Sequence, residues 1–156
     1  MADTDSDTQT EWYKIKSGDN QVFQISREAT KLSGTLTDYI EDNFAQPFPL
    51  ECVESKTLAL VVQYLEQHAK TDVSKEEMAE FDRQFVEDNG NVKFALLLAA
   101  NFVHCDLLIR LVADAVAENM RGKTVDELRI AYKVNDDFTE EEKEKIRNEG
   151  KWVAKR

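Results

Sequence analysis

Between Asp106 and Glu118 the charged residues recur at every fourth position, as Asp106, Arg110, Asp114 and Glu118. The intervening positions are Leu107, Leu108, Ile109, Leu111, Val112, Ala113, Ala115, Val116 and Ala117. A helix packed on one side needs an apolar stripe only a little wider than about 100°, and here it is the polar stripe that is narrow. Such a helix demands cover from more than one direction, from the chain's own helices, from a second copy or from a different protein. Directly upstream, Asn91 to Val103 is apolar nearly all round, which predicts a helix enclosed on every side at the centre of the core. Its apolar run, "FALLLAANFV", is broken by Asn101 and is about half of the ~20 residues a bilayer crossing requires, so it reads as a buried helix.

Around this pair the chain is punctuated for a small α+β fold. "WYKIK" and "QVFQI" alternate across the turn residues "SGDN", predicting a short hairpin. Ser26 and Ser33 are placed to cap short helices, the second carrying Leu36, Tyr39 and Ile40 at helical spacing. Both prolines fall in "AQPFPLECV", which fits an edge strand or a loop. From Ser55, Leu58, Val61, Val62 and Leu65 repeat at i, i+3, i+4 and i+7 and mark an amphipathic helix. "AKTDVSKEEMAEFDRQF" is polar and reads as a surface linker leading into a new helix, with Ser74 and Glu77 as a capping box. Thr124 with Glu127, and Thr139 with Glu142, form two further boxes after the helix stop at Gly122. The expected class is α+β, mostly helical.

Composition narrows the partners. With 31 Asp and Glu against 20 Lys and Arg, the net charge of −11 repels phosphate backbones and anionic bilayers, so neither nucleic acid nor membrane is an expected partner. "MADTDSDTQTE" has neither a basic n-region nor an apolar h-region and reads as a disordered acidic tail over residues 1–11. Cys52 and Cys105 are too few for a disulfide framework and, with no export signal read at the start, both are expected reduced in a cytoplasmic and nuclear setting.

The chain carries no G-x-G-x-x-G, P-loop, G-x-S-x-G or H-E-x-x-H, and no cofactor is expected. His68, His104, Cys52 and Cys105 share no zinc-type spacing. The adjacent His104 and Cys105 point about 100° apart on a helix and do not face each other as base and nucleophile. A core cysteine beside a helix-end histidine is the expected arrangement. No enzyme is indicated.

The last predicted helix has little to bury. Between Thr139 and Trp152 the only aliphatic residue is Ile146, and Phe138, Ile146, Trp152 and Val153 would supply roughly 1.5 to 3 kcal/mol each if fully covered. Ordering each residue costs on the order of 1 to 2 kcal/mol in backbone entropy. The segment is therefore expected to be an arm that frays alone and orders when a partner supplies apolar surface for Trp152, the alternative being that Trp152 folds back onto the chain's own helices.

The blocks "FALLLAAN", "RGKTVDELR", "NDDFTEEE" and the terminal Trp152, supported by "PFPLECV" and "VVQYLEQH", closely resemble the S-phase kinase-associated adaptor family, the small subunits that join F-box proteins to a cullin in SCF ubiquitin ligases. The resemblance runs from Tyr13 to the end. It implies a BTB/POZ fold over residues 12–120 and an F-box-binding extension of two helices over 121–156. It also implies that Asn101 and Phe102 bind the cullin N-terminal region. The F-box is then held by Val116, Met120, Leu128, Tyr132, Val134, Phe138, Ile146 and Trp152.

Several blocks depart from the family's pattern. Phe102 stands where the family usually has tyrosine, "NYLDIKGLLD" becomes "NFVHCDLLIR", "KNDF" becomes "NDDF", and a long acidic insertion is cut to "DNFAQ". A divergent member is expected, acting as a non-catalytic adaptor. The alternative is a self-associating structural or scaffold protein that uses the same apolar helix face outside a ligase; a homodimer is the expected further partner state when no F-box is present.

Overall fold

A computed structural model of the chain describes residues 11–42 and 46–150. The described residues form three strands and eight helices. They belong to two compact units that divide between Asn119 and Met120.

The first unit opens with the predicted hairpin. Strand β1 (Trp12–Ser17) pairs antiparallel with β2 (Val22–Ser26), with Ile15 opposite Phe23 and Tyr13 opposite Ile25. Alternation sends Ile15 and Ile25 into the core and leaves Trp12 and Val22 outside. Asn20 takes the left-handed conformation at φ 65°, which its short polar side chain tolerates. Gly18 is required by a close approach: a Cβ there would lie 2.2 Å from the Glu51 carbonyl oxygen.

Two short helices follow, α1 (Arg27–Thr30) capped by Ser26 and α2 (Gly34–Glu41) capped by Ser33. Strand β3 (Phe48–Leu50) then lies parallel to β1 at the edge, giving the order β2-β1-β3. The edge is where Pro49, with no N–H to donate, is tolerated.

Helix α3 (Ser55–His68) is the centre of this unit. It buries Leu58, Val61, Tyr64 and Leu65 and packs against α1, β2 and α5. Its N-terminus is not capped by Glu54 but from the hairpin turn: Asp19 accepts from the Ser55 backbone N–H at 2.9 Å and from its hydroxyl at 2.5 Å. The Glu66 carboxylate accepts from the N–H of Ser26 at 2.6 Å and its hydroxyl at 2.9 Å, tying α3 to the end of β2.

The polar stretch after α3 leads, as its capping box implies, into a helix, α4 (Lys75–Asp88), begun at Ser74 and Glu77. It is polar because only one narrow edge of the helix is covered. Phe85 is buried with its ring 5.4 Å from that of Tyr64, and Asp82 Oδ1 lies 2.8 Å from His68 Nε2.

Helix α5 (Lys93–Phe102) corrects an expectation, because it is not enclosed. Leu96, Ala99 and Ala100 are buried, but Phe94, Leu98 and Phe102 form an exposed line at i, i+4 and i+8. The helix walls the unit on one side only, and its second apolar face looks outward. Helix α6 (Asp106–Met120) buries Leu108 and Val112 while Ile109, Leu111 and Val116 pack partly against the core. Leu107 stays half exposed, so part of its wide apolar arc is uncovered.

The second unit contains α7 (Val125–Tyr132) and α8 (Glu140–Gly150). Gly122 (φ +78°) precedes them, in the conformation that ends helices. Neither helix contains a buried residue.

Candidate functional site

In the first unit the exposed line of α5 borders an open groove of about 530 Å³, lined by Cys52, Glu54, Thr57, Leu98, Asn101 and Phe102 among others. Leu98 is 72% exposed and Phe102 40%, the wrong side of the helix for core residues of their size. Asn101 and Phe102, expected to act together, therefore share one solvent-facing surface. Phe94 and Leu98 belong to the same surface and were not picked out by the sequence. The only signal was the i, i+4, i+8 repeat, hidden because the other face of α5 is equally apolar.

The end of α5 is held by a dense set of hydrogen bonds. His104 (φ 49°) is left-handed, its N–H donates to the Asn101 carbonyl at 3.1 Å, and the Cys105 N–H donates to the Ala100 carbonyl at 3.0 Å. This is a Schellman ending with histidine where glycine is usual. The remaining carbonyls are taken by the start of α2. The Ser33 hydroxyl donates to Val103 at 2.5 Å, the Thr35 hydroxyl to Phe102 at 3.0 Å, and the Gly34 N–H to His104 at 3.1 Å. Phe102 is thus presented from a fixed backbone.

His104 and Cys105 do not form a reactive pair. Cys105 is fully buried and its burial pushes the thiol up, while His104 Nδ1 lies 3.0 Å from the Thr35 hydroxyl. Among the described residues no group of His, Cys, Asp and Glu is arranged to hold a metal ion, and no helix is long and apolar enough to cross a membrane.

The second unit offers a different surface. Thr124 and Thr139 cap α7 and α8 with complete boxes, the Thr139 N–H donating to Glu142 at 2.8 Å and the Glu142 N–H returning to the Thr139 hydroxyl at 3.3 Å. Hydrogen bonds from the backbone of Thr124 and Thr139 hold the Glu127 and Glu142 carboxyls below the usual carboxylate range. Lys133 (φ 55°) ends α7, and the Val134 N–H closes on the Arg129 carbonyl at 2.9 Å.

Phe138 and Ile146 line one recess with Val125, Arg129 and Lys143, while Val134 lines another with Ile130. Leu128 and Tyr132 are half-buried, and Met120, Val134, Phe138 and Ile146 are exposed. Val116 lies in the first unit, partly covered by its core, and Trp152 lies outside the described residues. Ile130, at 80% the most exposed large apolar side chain among the described residues, is the member the sequence did not single out.

Helix α8 has no buried residue, in keeping with the small apolar content of the tail, and its start is joined to its surroundings by ion pairs. Lys143 Nζ lies 2.7 Å from Asp136 and 2.9 Å from Glu140, and Arg129 lies 3.3 Å from Asp136 and 3.2 Å from Asp126. The hydrogen bond from Lys143 keeps the Asp136 carboxyl below its ordinary range, and Asp136 in turn raises Lys143.

Residues 11–70 match the model described as "Skp1 family, tetramerisation domain", and residues 106–153 match "Skp1 family, dimerisation domain". The chain is 33% identical over 143 residues to SKP1-like protein 11 of Arabidopsis thaliana, covering 89% of this chain and 94% of that protein. The chain belongs to the Skp1 family. Other relatives are SCF ubiquitin ligase complex protein SKP1a of Dictyostelium discoideum, 33% identical over 151 residues (89% of this chain, 93% of that one), and SKP1-like protein 20 of Oryza sativa subsp. japonica, 31% identical over 161 residues (89% and 92%). Skp1 membership accounts for the POZ-type first unit, with its small sheet and surrounding helices, and agrees with the mostly helical α+β class expected from the sequence.

Proposed function

We propose that this chain is the adaptor subunit of an SCF-type ubiquitin ligase, itself non-catalytic, which holds an F-box protein with one surface and a cullin with another. The observation that carries the reading is the presence of two solvent-facing apolar surfaces on two compact units of one Skp1-family chain. One is the α5 line of Phe94, Leu98 and Phe102, and the other the recesses around Phe138, Ile146 and Ile130. Two relatives in Dictyostelium discoideum are named as SCF ubiquitin ligase complex proteins, which supports the same assembly.

In this reading Asn101 and Phe102, with Leu98 beside them, meet the cullin N-terminal region. Val116, Met120, Leu128, Tyr132, Val134, Phe138, Ile146 and Trp152 meet the F-box. Buried aromatic and aliphatic anchors would carry the affinity, and the acidic surroundings would tune encounter and selectivity. The test is reconstitution: the full chain is mixed with an F-box domain and a cullin N-terminal fragment, and the mass of the eluting species is measured. A ternary species, with binary species formed by each partner alone, is expected. Elution of the chain alone in every mixture would refute the assignment.

A further inference from the structure

Asp136 stands between α7 and α8, and its two carboxylate oxygens are divided between them. Oδ1 lies 3.3 Å from Arg129 on α7, and Oδ2 lies 2.7 Å from Lys143 on α8. Each cation has a second acid on or beside its own helix, Asp126 for Arg129 at 3.2 Å and Glu140 for Lys143 at 2.9 Å. The result is a chain of alternating charge in which the outer pairs are local, three residues apart, and only the central acid joins the two helices.

We propose that Asp136 is a positioning residue that fastens α8 to α7 in the free chain, so that the recess of Val125, Phe138 and Ile146 exists before a partner arrives. Isolated surface ion pairs often contribute little, because solvent screens them and two long side chains must be immobilised. This chain differs in two respects. The side chains of Arg129 and Lys143 are only 22% and 24% exposed and that of Asp136 37%, so the joint is partly shielded. In addition, neither helix has a buried residue, so close apolar packing is not what unites them. A preformed surface raises apparent affinity by raising the fraction of molecules competent to bind.

The binding consequence rests on the F-box reading above; the fastening itself does not. The test uses the full chain and the variants Asp136→Asn, Asp126→Asn and Glu140→Gln. Backbone amide exchange is followed by α8 and, as reference, α3. Asp136→Asn should speed exchange in α8 by about tenfold and leave α3 unchanged, while the two outer variants stay within about twofold of wild type. Salt at 1 M, where the screening length is about 3 Å, should speed α8 exchange in the wild type.

With an F-box domain as the probe, Asp136→Asn should slow association by a similar factor and leave dissociation unchanged. Equal α8 exchange in Asp136→Asn and wild type, or equal loosening by the outer variants, would overturn the fastening. Faster exchange with an unaltered association rate would leave Asp136 structural and overturn its positioning role. Should the wild type bind no F-box domain, the adaptor reading and the positioning role fail together, while the exchange comparison still decides the fastening.

Discussion

The Ser33 hydroxyl donates to the carbonyl of Val103 at 2.5 Å, joining the start of α2 to the end of α5 across 70 residues of sequence. The same oxygen accepts from the Leu36 N–H at 3.3 Å, so one buried side chain serves as the cap of one helix and the terminator of another.

Ser33→Ala therefore removes the shorter of two hydrogen bonds to the Val103 carbonyl, leaving the Thr35 N–H at 3.4 Å, and uncaps α2 at once. A loss of about 1.5 to 3 kcal/mol is expected in urea unfolding, the sum of a lost buried hydrogen bond and a lost cap. Thr35→Ala, at a less buried position with the same kind of carbonyl bond, should cost under about 1.5 kcal/mol. Equal losses in the two variants would argue against the double role of Ser33.

His104 occupies the left-handed position that closes α5, at φ 49°. A side chain with a Cβ is disfavoured there by roughly 1 to 2 kcal/mol, offset in part by the Nδ1 contact with Thr35 at 3.0 Å. His104→Gly should stabilise the chain by about 0.5 to 1 kcal/mol, and His104→Val, β-branched and without the contact, should destabilise it by more than about 1 kcal/mol. Melting temperatures of the two variants, moving in opposite directions, are the check. Gly34 packs against this residue, since a Cβ on it would sit 3.3 Å from the His104 Cβ.

What was legible in the sequence was whatever a local rule determines. The hairpin followed from alternation around "SGDN", and the helix starts at Ser26, Ser33, Ser74, Thr124 and Thr139 from their capping chemistry. What escaped was set by distant partners. Nothing near Ser55 announces that Asp19 will cap its helix. An apolar helix such as α5 gives no periodic sign of which face meets the core, so Leu96 and Leu98 read alike although one is buried and the other exposed. Asp136 looked like one more acid in an acidic run, because its role depends on Arg129 and Lys143 arriving from two different helices.

That distinction on α5 gives a paired prediction. Leu96→Ala removes a buried side chain and should cost about 2 to 5 kcal/mol in stability. Leu98→Ala should change stability by less than about 0.5 kcal/mol, because the side chain is already in solvent. On the proposed reading Leu98→Ala and Phe102→Ala should instead weaken binding of a cullin N-terminal fragment by about tenfold or more, measured by titration calorimetry. A fall in stability for Leu98→Ala, with cullin binding intact, would place the residue in the core and remove it from the interface.

The charges of the second unit set its response to pH. Asp136, Glu127 and Glu142 are all held below the usual carboxylate range, the first by Lys143 and the others by backbone N–H groups at their helix starts. A carboxyl depressed in the folded state contributes stability that is present above its unfolded pKa, about 4, and is lost as pH falls through the lower folded value. Lys143 is raised, so its contribution is present below about 10.4 and is lost only as pH rises through a still higher value. These groups therefore leave α7 and α8 undisturbed across neutral pH and loosen them at both extremes. Residue-resolved amide signals of α8 should be constant from about pH 5 to 9 and fade below about pH 4. Asp136→Asn removes the carboxylate that joins the helices but keeps the capping carboxylates, so the acid transition of the α7 start should persist while the neutral-pH order of α8 is already reduced. A midpoint for α8 near pH 6 in the wild type would show that some other titrating group governs the unit.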